Sequence, residues 1–158
     1  MENVTASSPH ILVDADACPV KDEIYKVALR KKIPVTLVSN SFMRVPPHPL
    51  FKLITVSDGF DAADDWIAER AGPKSVVITA DILLAERTLK VGAQTLGPNG
   101  KAFTENSIGG AIATRAIMAD LRAGAVGQNI GGPAPFSKAD QSRFLSALDD
   151  ALVRLERG

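Results

Sequence analysis

The amino-acid sequence predicts a single three-layer α/β/α domain built around a mainly parallel sheet, and three observations predict it. Short β-branched runs alternate with segments of helical periodicity between residues 11 and 96. The runs Ile11 to Val13, Val35 to Val38 and Val76 to Ile78 are β-branched or apolar without regular alternation, as strands covered on both faces are. A chain of 158 residues with 46% apolar side chains has the size and composition of one core.

Residues 1–9 (MENVTASSP) are polar and are expected to form a flexible N-terminus, leaving 10–158 as the domain. Ile11 to Val13 reads as the first strand and ends in Asp14. Beyond Pro19, Val20, Ile24, Val27 and Ala28 recur at helical spacing, and Pro34 is expected to stop that helix. Val35 to Val38 is the second strand, followed by the polar turn Ser39-Asn40-Ser41. Phe42 to Leu50 carries Pro46, Pro47 and Pro49, so it is expected to be extended or irregular, because proline disfavours helix at itself and before it. Leu53 to Val56 is the next strand.

Asp61 stands where it would cap a helix from Ala62 to Ala71, which Gly72-Pro73 ends. Ser75 to Thr79 (SVVIT) is a further buried strand, Asp81 follows it, and Ile82 to Lys90 reads as a helix. Gln94 to Leu96 is a strand, and Pro98-Asn99-Gly100 is a turn from which Lys101 to Thr104 returns as the second arm of a hairpin. A long helix is expected from Ile108 to Arg122 and a loop from Gly124 to Pro135. Ser137 and Asp140 form an S-x-x-D capping signal for a last helix with the apolar stripe Phe144, Leu148, Leu152 and Leu155.

The balance of 18 basic and 18 acidic residues lacks the positive excess of a nonspecific polyanion binder, so a nucleic-acid partner would need a local basic patch. The one cysteine, Cys18, excludes an internal disulfide and a cysteine zinc cluster, and suits a reducing compartment. No apolar run approaches the roughly 18 residues that span a bilayer, and the start of the chain lacks the pattern of a signal peptide. A cytoplasmic protein without a membrane partner is expected.

In a parallel α/β sheet ligands bind beyond the carboxyl ends of the strands, and that is where the acids fall. Asp14 and Asp16 follow the first strand, Asp61, Asp64 and Asp65 the third, and Asp81 the fourth. Carboxylates gathered in one place repel one another unless a cation neutralises them, and oxygen ligands of this kind suit Mg2+ or Mn2+. Asp14 and Asp81 are the first candidates, because each ends a strand, with Asp16 next. Asp61, Asp64 and Asp65 share one face of a first helical turn, where capping and the helix dipole explain acids equally well.

Asn40 and Ser41 would orient a phosphate or a water, or simply form the turn they favour. Arg44, His48, Lys101, Arg115 and Arg122 are candidate phosphate contacts, Arg115 foremost, against the plainer reading of solvated charge. Cys18 reads as a buried spacer and Trp66 as a core residue.

The strings DADACPVK (Asp14 to Lys21), SNS (Ser39 to Ser41), DGFDAADDWI (Asp58 to Ile67), VVITADILLA (Val76 to Ala85) and GGPAPFSKAD (Gly131 to Asp140) resemble the uncharacterised bacterial YaiI/YqxD family nearly end to end. That family is similar to PIN-like nucleases. The resemblance implies a PIN-like sheet whose acidic pocket holds Mg2+ or Mn2+ for hydrolysis of RNA or DNA phosphodiesters. Asp14 then matches the acid ending the first strand, Asp81 the later strand-end acid, and Asp64 or Asp65 the acid on a helix. The chain departs from that pattern in the close Asp14-x-Asp16 pair followed by Cys18-Pro19, and in an aspartate where a glutamate is usual.

The expected function is therefore a metal-dependent nuclease with Asp14, Asp16 and Asp81 as catalytic residues and Asn40, Ser41, Arg44 and Arg115 toward substrate. Two alternatives share the same residues. One is a haloacid-dehalogenase-like phosphatase in which Asp14 attacks phosphorus, Asp16 is the acid/base and the Ser39-Asn40 turn binds phosphate. The other is a noncatalytic metal-binding or nucleic-acid-binding module.

Overall fold

Successive side chains of a strand point to opposite faces, so a strand apolar throughout needs a helical layer on each side. The computed structural model, which describes residues 8–57, 62–109 and 137–157, has this arrangement. In β1 (His10–Asp14), Ile11 and Val13 join one core cluster and Leu12 the other, all three fully buried. In β2 (Val35–Ser39), Val35 and Leu37 pack on the first face and Val38 on the second. With β3 (Phe51–Thr55), β4 (Ser75–Ile78) and β5 (Gln94–Leu96), these strands form an all-parallel sheet in the order β3-β2-β1-β4-β5.

The first face is covered by α1 (Lys21–Lys31) and α4 (Lys138–Arg157), which pack on each other. The second is covered by α2 (Ala62–Arg70) and α3 (Ile82–Lys90) through Ala63, Ile67 and Leu84. The predicted stripe of α4 is buried, with Phe144, Leu148 and Leu152 at 0% exposure. Each such side chain stabilises the fold by about 1.5–3 kcal/mol. Its capping box is reciprocal: the Ser137 N–H donates to Asp140 Oδ2 at 3.0 Å and the Asp140 N–H donates to Ser137 Oγ at 3.1 Å.

Three expectations change. α1 is closed before Pro34 is reached, because Lys32 adopts the left-handed conformation at φ 59° and its N–H bonds the Ala28 carbonyl. β3 starts at Phe51, two residues earlier than the apolar run suggested, because parallel pairing with Val35 and Thr36 extends it over Phe51 and Lys52. The return arm after β5 shrinks to one antiparallel bridge, Leu96 to Ala102. Its turn requires glycine: Gly100 has φ 86°, and a Cβ there would lie 2.6 Å from the Arg143 backbone. The residues 105–109 are helical. The rest of the expected long helix, the Gly124 to Pro135 loop and residues 1–7 lie outside the described residues.

The strand order sets a switch point among the described strands. From β1 the chain moves through α1, on one face, toward β2; from β4 it moves through α3, on the other face, toward β5. The two connections diverge at the carboxyl ends of the neighbours β1 and β4, which is the switch point where open α/β sheets bind ligands.

Candidate functional site

Asp14 is the last residue of β1, and Val13 beside it is in register with Ile78, the last residue of β4. That register brings Thr79, one residue past β4 and 1% exposed, against the Asp14 carboxylate. The Thr79 hydroxyl donates to Asp14 Oδ2 at 2.8 Å and accepts the Asp81 N–H at 2.9 Å. A single buried hydroxyl thus ties the end of β1 to the start of α3. Asp81 is half-buried and caps α3, Oδ1 accepting from Leu83 N at 2.9 Å and Leu84 N at 3.4 Å.

Asp16 sits on the other side of Asp14, in a short 3-10 turn (Ala15–Ala17), and is exposed. Its carboxylate is gripped from the end of β2. The Ser39 hydroxyl lies 2.7 Å from Asp16 Oδ1, and the Asn40 N–H reaches both oxygens at 3.2 and 3.1 Å. The Ser41 carbonyl is also 2.7 Å from the Ser39 hydroxyl, whose one proton serves a single acceptor at a time; the carboxylate is the stronger acceptor. Asn40 braces the edge further, its side-chain amide donating to the Ser57 carbonyl at 2.8 Å.

Burial is the main cause that lifts the Asp14 carboxyl above the ordinary carboxylate range, the Thr79 hydroxyl opposes it, and the charges of Asp81 and Asp16 lift it further. Asp14 is therefore a half-buried acid with two like charges close enough to destabilise its ionised form.

The sequence candidates divide accordingly. Asp14 lies at the carboxyl edge near enough to Asp81 on one side and Asp16 on the other to feel both charges. Asp64 and Asp65 lie in the first turn of α2, Asp64 half-buried and Asp65 exposed, and Asp65 pairs with Arg87 of α3 at 2.8 Å. Asn40 and Ser41 spend backbone or side-chain donors on Asp16, Ser39 and Ser57, so their turn first serves to hold the acid. Arg44 and Lys101 are exposed. His48 packs on Phe51, and its Nδ1 accepts the Leu50 N–H. Arg115, Arg122, Asp58 and Asp61 lie outside the described residues. Cys18 is buried, and burial pushes its thiol upward, which suits a spacer. Trp66 packs against the second core cluster with the Arg70 guanidinium 4.0 Å from its ring centre.

Two residues escaped the sequence reading in this role. The sequence offers Ser39 as a turn residue or phosphate ligand and Thr79 as a strand residue, yet these two hydroxyls orient the acids. The available signal was position: each stands at the carboxyl end of a strand, Ser39 just before Asn40 and Thr79 two residues before Asp81.

A donor set of three carboxylates with hydroxyl support has the chemistry of a Mg2+ or Mn2+ site, in which one or two carboxylates bind and waters complete the shell. Among the described residues no group of three or more His, Cys, Asp or Glu side chains is already drawn together at metal-holding distances.

A family model described as the uncharacterised YaiI/YqxD family matches residues 12–154. A protein of Sphingopyxis alaskensis named UPF0178 protein is 69% identical over 96% of this chain and 98% of its own length. Proteins of the same name from Jannaschia and Rhodopseudomonas palustris are 57% and 56% identical, over 99% and 98% of this chain and 100% and 96% of their own lengths. No solved structure matches.

Proposed function

The chain belongs to the uncharacterised YaiI/YqxD family, and we propose that it is a Mg2+- or Mn2+-dependent nuclease that hydrolyses RNA or DNA phosphodiesters at the switch-point crevice. The observation that carries the reading is the Asp14–Thr79–Asp81 relay, which holds two strand-end acids in one crevice despite their repulsion. Repelling carboxylates kept in place at a ligand-binding position are the arrangement a divalent cation stabilises.

Asp14 and Asp81, with Asp16 beside them, would hold the ion, which when bound supplies a water of lowered pKa and polarises a phosphoryl oxygen. Thr79 keeps the Asp14 carboxylate turned into the crevice. Asp16, exposed and steadied by Ser39 and Asn40, would take a proton from the attacking water as the water oxygen bonds phosphorus; the phosphorus bond to the sugar oxygen breaks and that oxygen takes up a proton from solvent. Arg44 is the described cation best placed by sequence to meet a phosphate, and Arg115 is a second candidate.

The hydrogen bonding disfavours the phosphatase alternative. In that mechanism the Ser39 hydroxyl and Asn40 N–H would bind the substrate phosphate, whereas here both are turned onto Asp16.

The test compares labelled single-stranded RNA, single-stranded DNA and a small phosphomonoester in Mn2+. Cleavage of either strand, lost in Asp14→Asn and without phosphate trapped on Asp14 after rapid quench, is expected. Turnover of the monoester alone with a phosphoaspartate at Asp14 would replace the reading with the phosphatase. Mn2+ binding with no turnover would leave a noncatalytic module.

A further inference from the structure

Among the described residues Phe42 is the most exposed large apolar side chain, at 82%, while other such side chains reach only about half exposure. It stands directly after the Ser39-Asn40-Ser41 turn that grips Asp16. The next residues alternate: Met43 packs against the first core cluster, Arg44 is exposed, Val45 packs again. Residues 42–46 have neither helical nor sheet pairing, and this inside-outside alternation is that of extended backbone, so Phe42 and Arg44 share the solvent side.

The segment is anchored beyond Phe42 and Arg44 as well as before them. Asn40 is tied to Ser57, and at the far end the His48 carbonyl accepts the Phe51 N–H while the Leu50 carbonyl accepts the Val35 N–H. Pro46, Pro47 and Pro49 restrict the backbone between. An aromatic ring held in water by an anchored segment, with a guanidinium two residues on and the turn that holds Asp16 just before it, is complemented in both its parts by one ligand class. It is a nucleotide, whose base stacks on the ring and whose phosphate pairs with the arginine.

We infer that Phe42 and Arg44 form a stacking platform that selects unpaired nucleotides for the Asp14–Asp81 crevice. The inference rests on the nuclease reading and names its substrate class. Only an unpaired base offers a free face to Phe42, because in a duplex both faces are covered by neighbouring pairs.

The test separates the two claims by measuring binding and cleavage apart. Anisotropy with short labelled oligo-U and oligo-dT, the same strands as duplexes, and an abasic strand is measured in Ca2+ for the full chain and for Phe42→Ala, Phe42→Trp and Arg44→Ala. Circular dichroism checks that each variant is folded. Expected are single strands bound more tightly than duplexes, a roughly tenfold loss in Phe42→Ala, and retention in Phe42→Trp. The abasic strand should bind the native chain and Phe42→Ala alike. Arg44→Ala should weaken every strand equally and reduce the salt dependence. Equal affinity of native and Phe42→Ala for oligo-U and oligo-dT, or preference for duplex, would overturn the platform. Cleavage in Mn2+ with unchanged binding of Phe42→Ala would leave the nuclease standing and remove only the platform.

Discussion

β1 has a titratable side chain at each end, and the two are treated differently. At the amino end His10 is buried; burial lowers its pKa, while its hydrogen bond to the Ser8 carbonyl at 3.0 Å pulls the other way. Among the described residues its Nε2 has no partner. At the carboxyl end Asp14 is also desolvated, but it has a dedicated hydroxyl donor and faces Asp81 and Asp16. Burial alone suffices to lower the pKa of a histidine; it does not gather three acids. The chain direction does that, because carboxyl ends of parallel strands lead to turns and helix starts whose N–H groups attract carboxylates. Leu83, Leu84 and Asn40 supply them here. The acidic end therefore places two like charges near a desolvated carboxyl, which the proposed cation would offset, and the histidine end does not.

The sharpest way to break the contrast is Asp14→Asn. Mn2+-dependent cleavage should fall by more than about 100-fold, the scale seen when even outer groups of a metal site are lost. Thermal stability without metal should rise, by about 1 kcal/mol, because a neutral isostere removes the desolvated charge. A lower melting temperature together with unchanged Mn2+ stabilisation would show that Asp14 is structural.

Thr79→Val should come next. It leaves the Asp81 N–H without its acceptor, costing about 1–3 kcal/mol of stability, and lowers activity about 10- to 100-fold, with Thr79→Ser recovering most of both. Chemical denaturation and cleavage assays read the two effects separately.

The pH dependence sharpens the comparison further. His10 has a lowered folded pKa, so the unfolded chain binds more protons and stability is lost as pH falls below about 6.5. Asp14 has a raised folded pKa, so its contribution is fully present below the unfolded value near 3.8 and is lost as pH rises through the folded value. Metal-free melting curves should therefore lose their slope below pH 6.5 in His10→Phe and above pH 3.8 in Asp14→Asn. A single slope unaffected by either variant would mean that other groups govern the titration.

The smallest effect is expected at the rim. The Asp65–Arg87 pair is exposed on both sides, so Arg87→Ala should change stability by less than about 1 kcal/mol and leave Mn2+ affinity unchanged. Calorimetric loss of Mn2+ affinity in Asp65→Asn would extend the site onto α2.

Much of this was legible in the chain itself. Apolar runs without alternation declared strands covered on both faces, and β1, β2 and β4 fill both core clusters. The Ser137 and Asp140 spacing named the start of α4, and the acids were placed at strand ends. Local pattern determines these features because strand periodicity, helix caps and turn chemistry act over only a few residues. Tertiary structure decided the rest. Which strands are neighbours is a long-range choice, and only the β1–β4 pairing brings the Thr79 hydroxyl, 65 positions along the chain, to Asp14. The β1–β2 pairing likewise turns Ser39 and Asn40 onto Asp16 rather than outward to a ligand. A hydroxyl has a short reach and no sequence periodicity, so its partner is set by strand order and register alone.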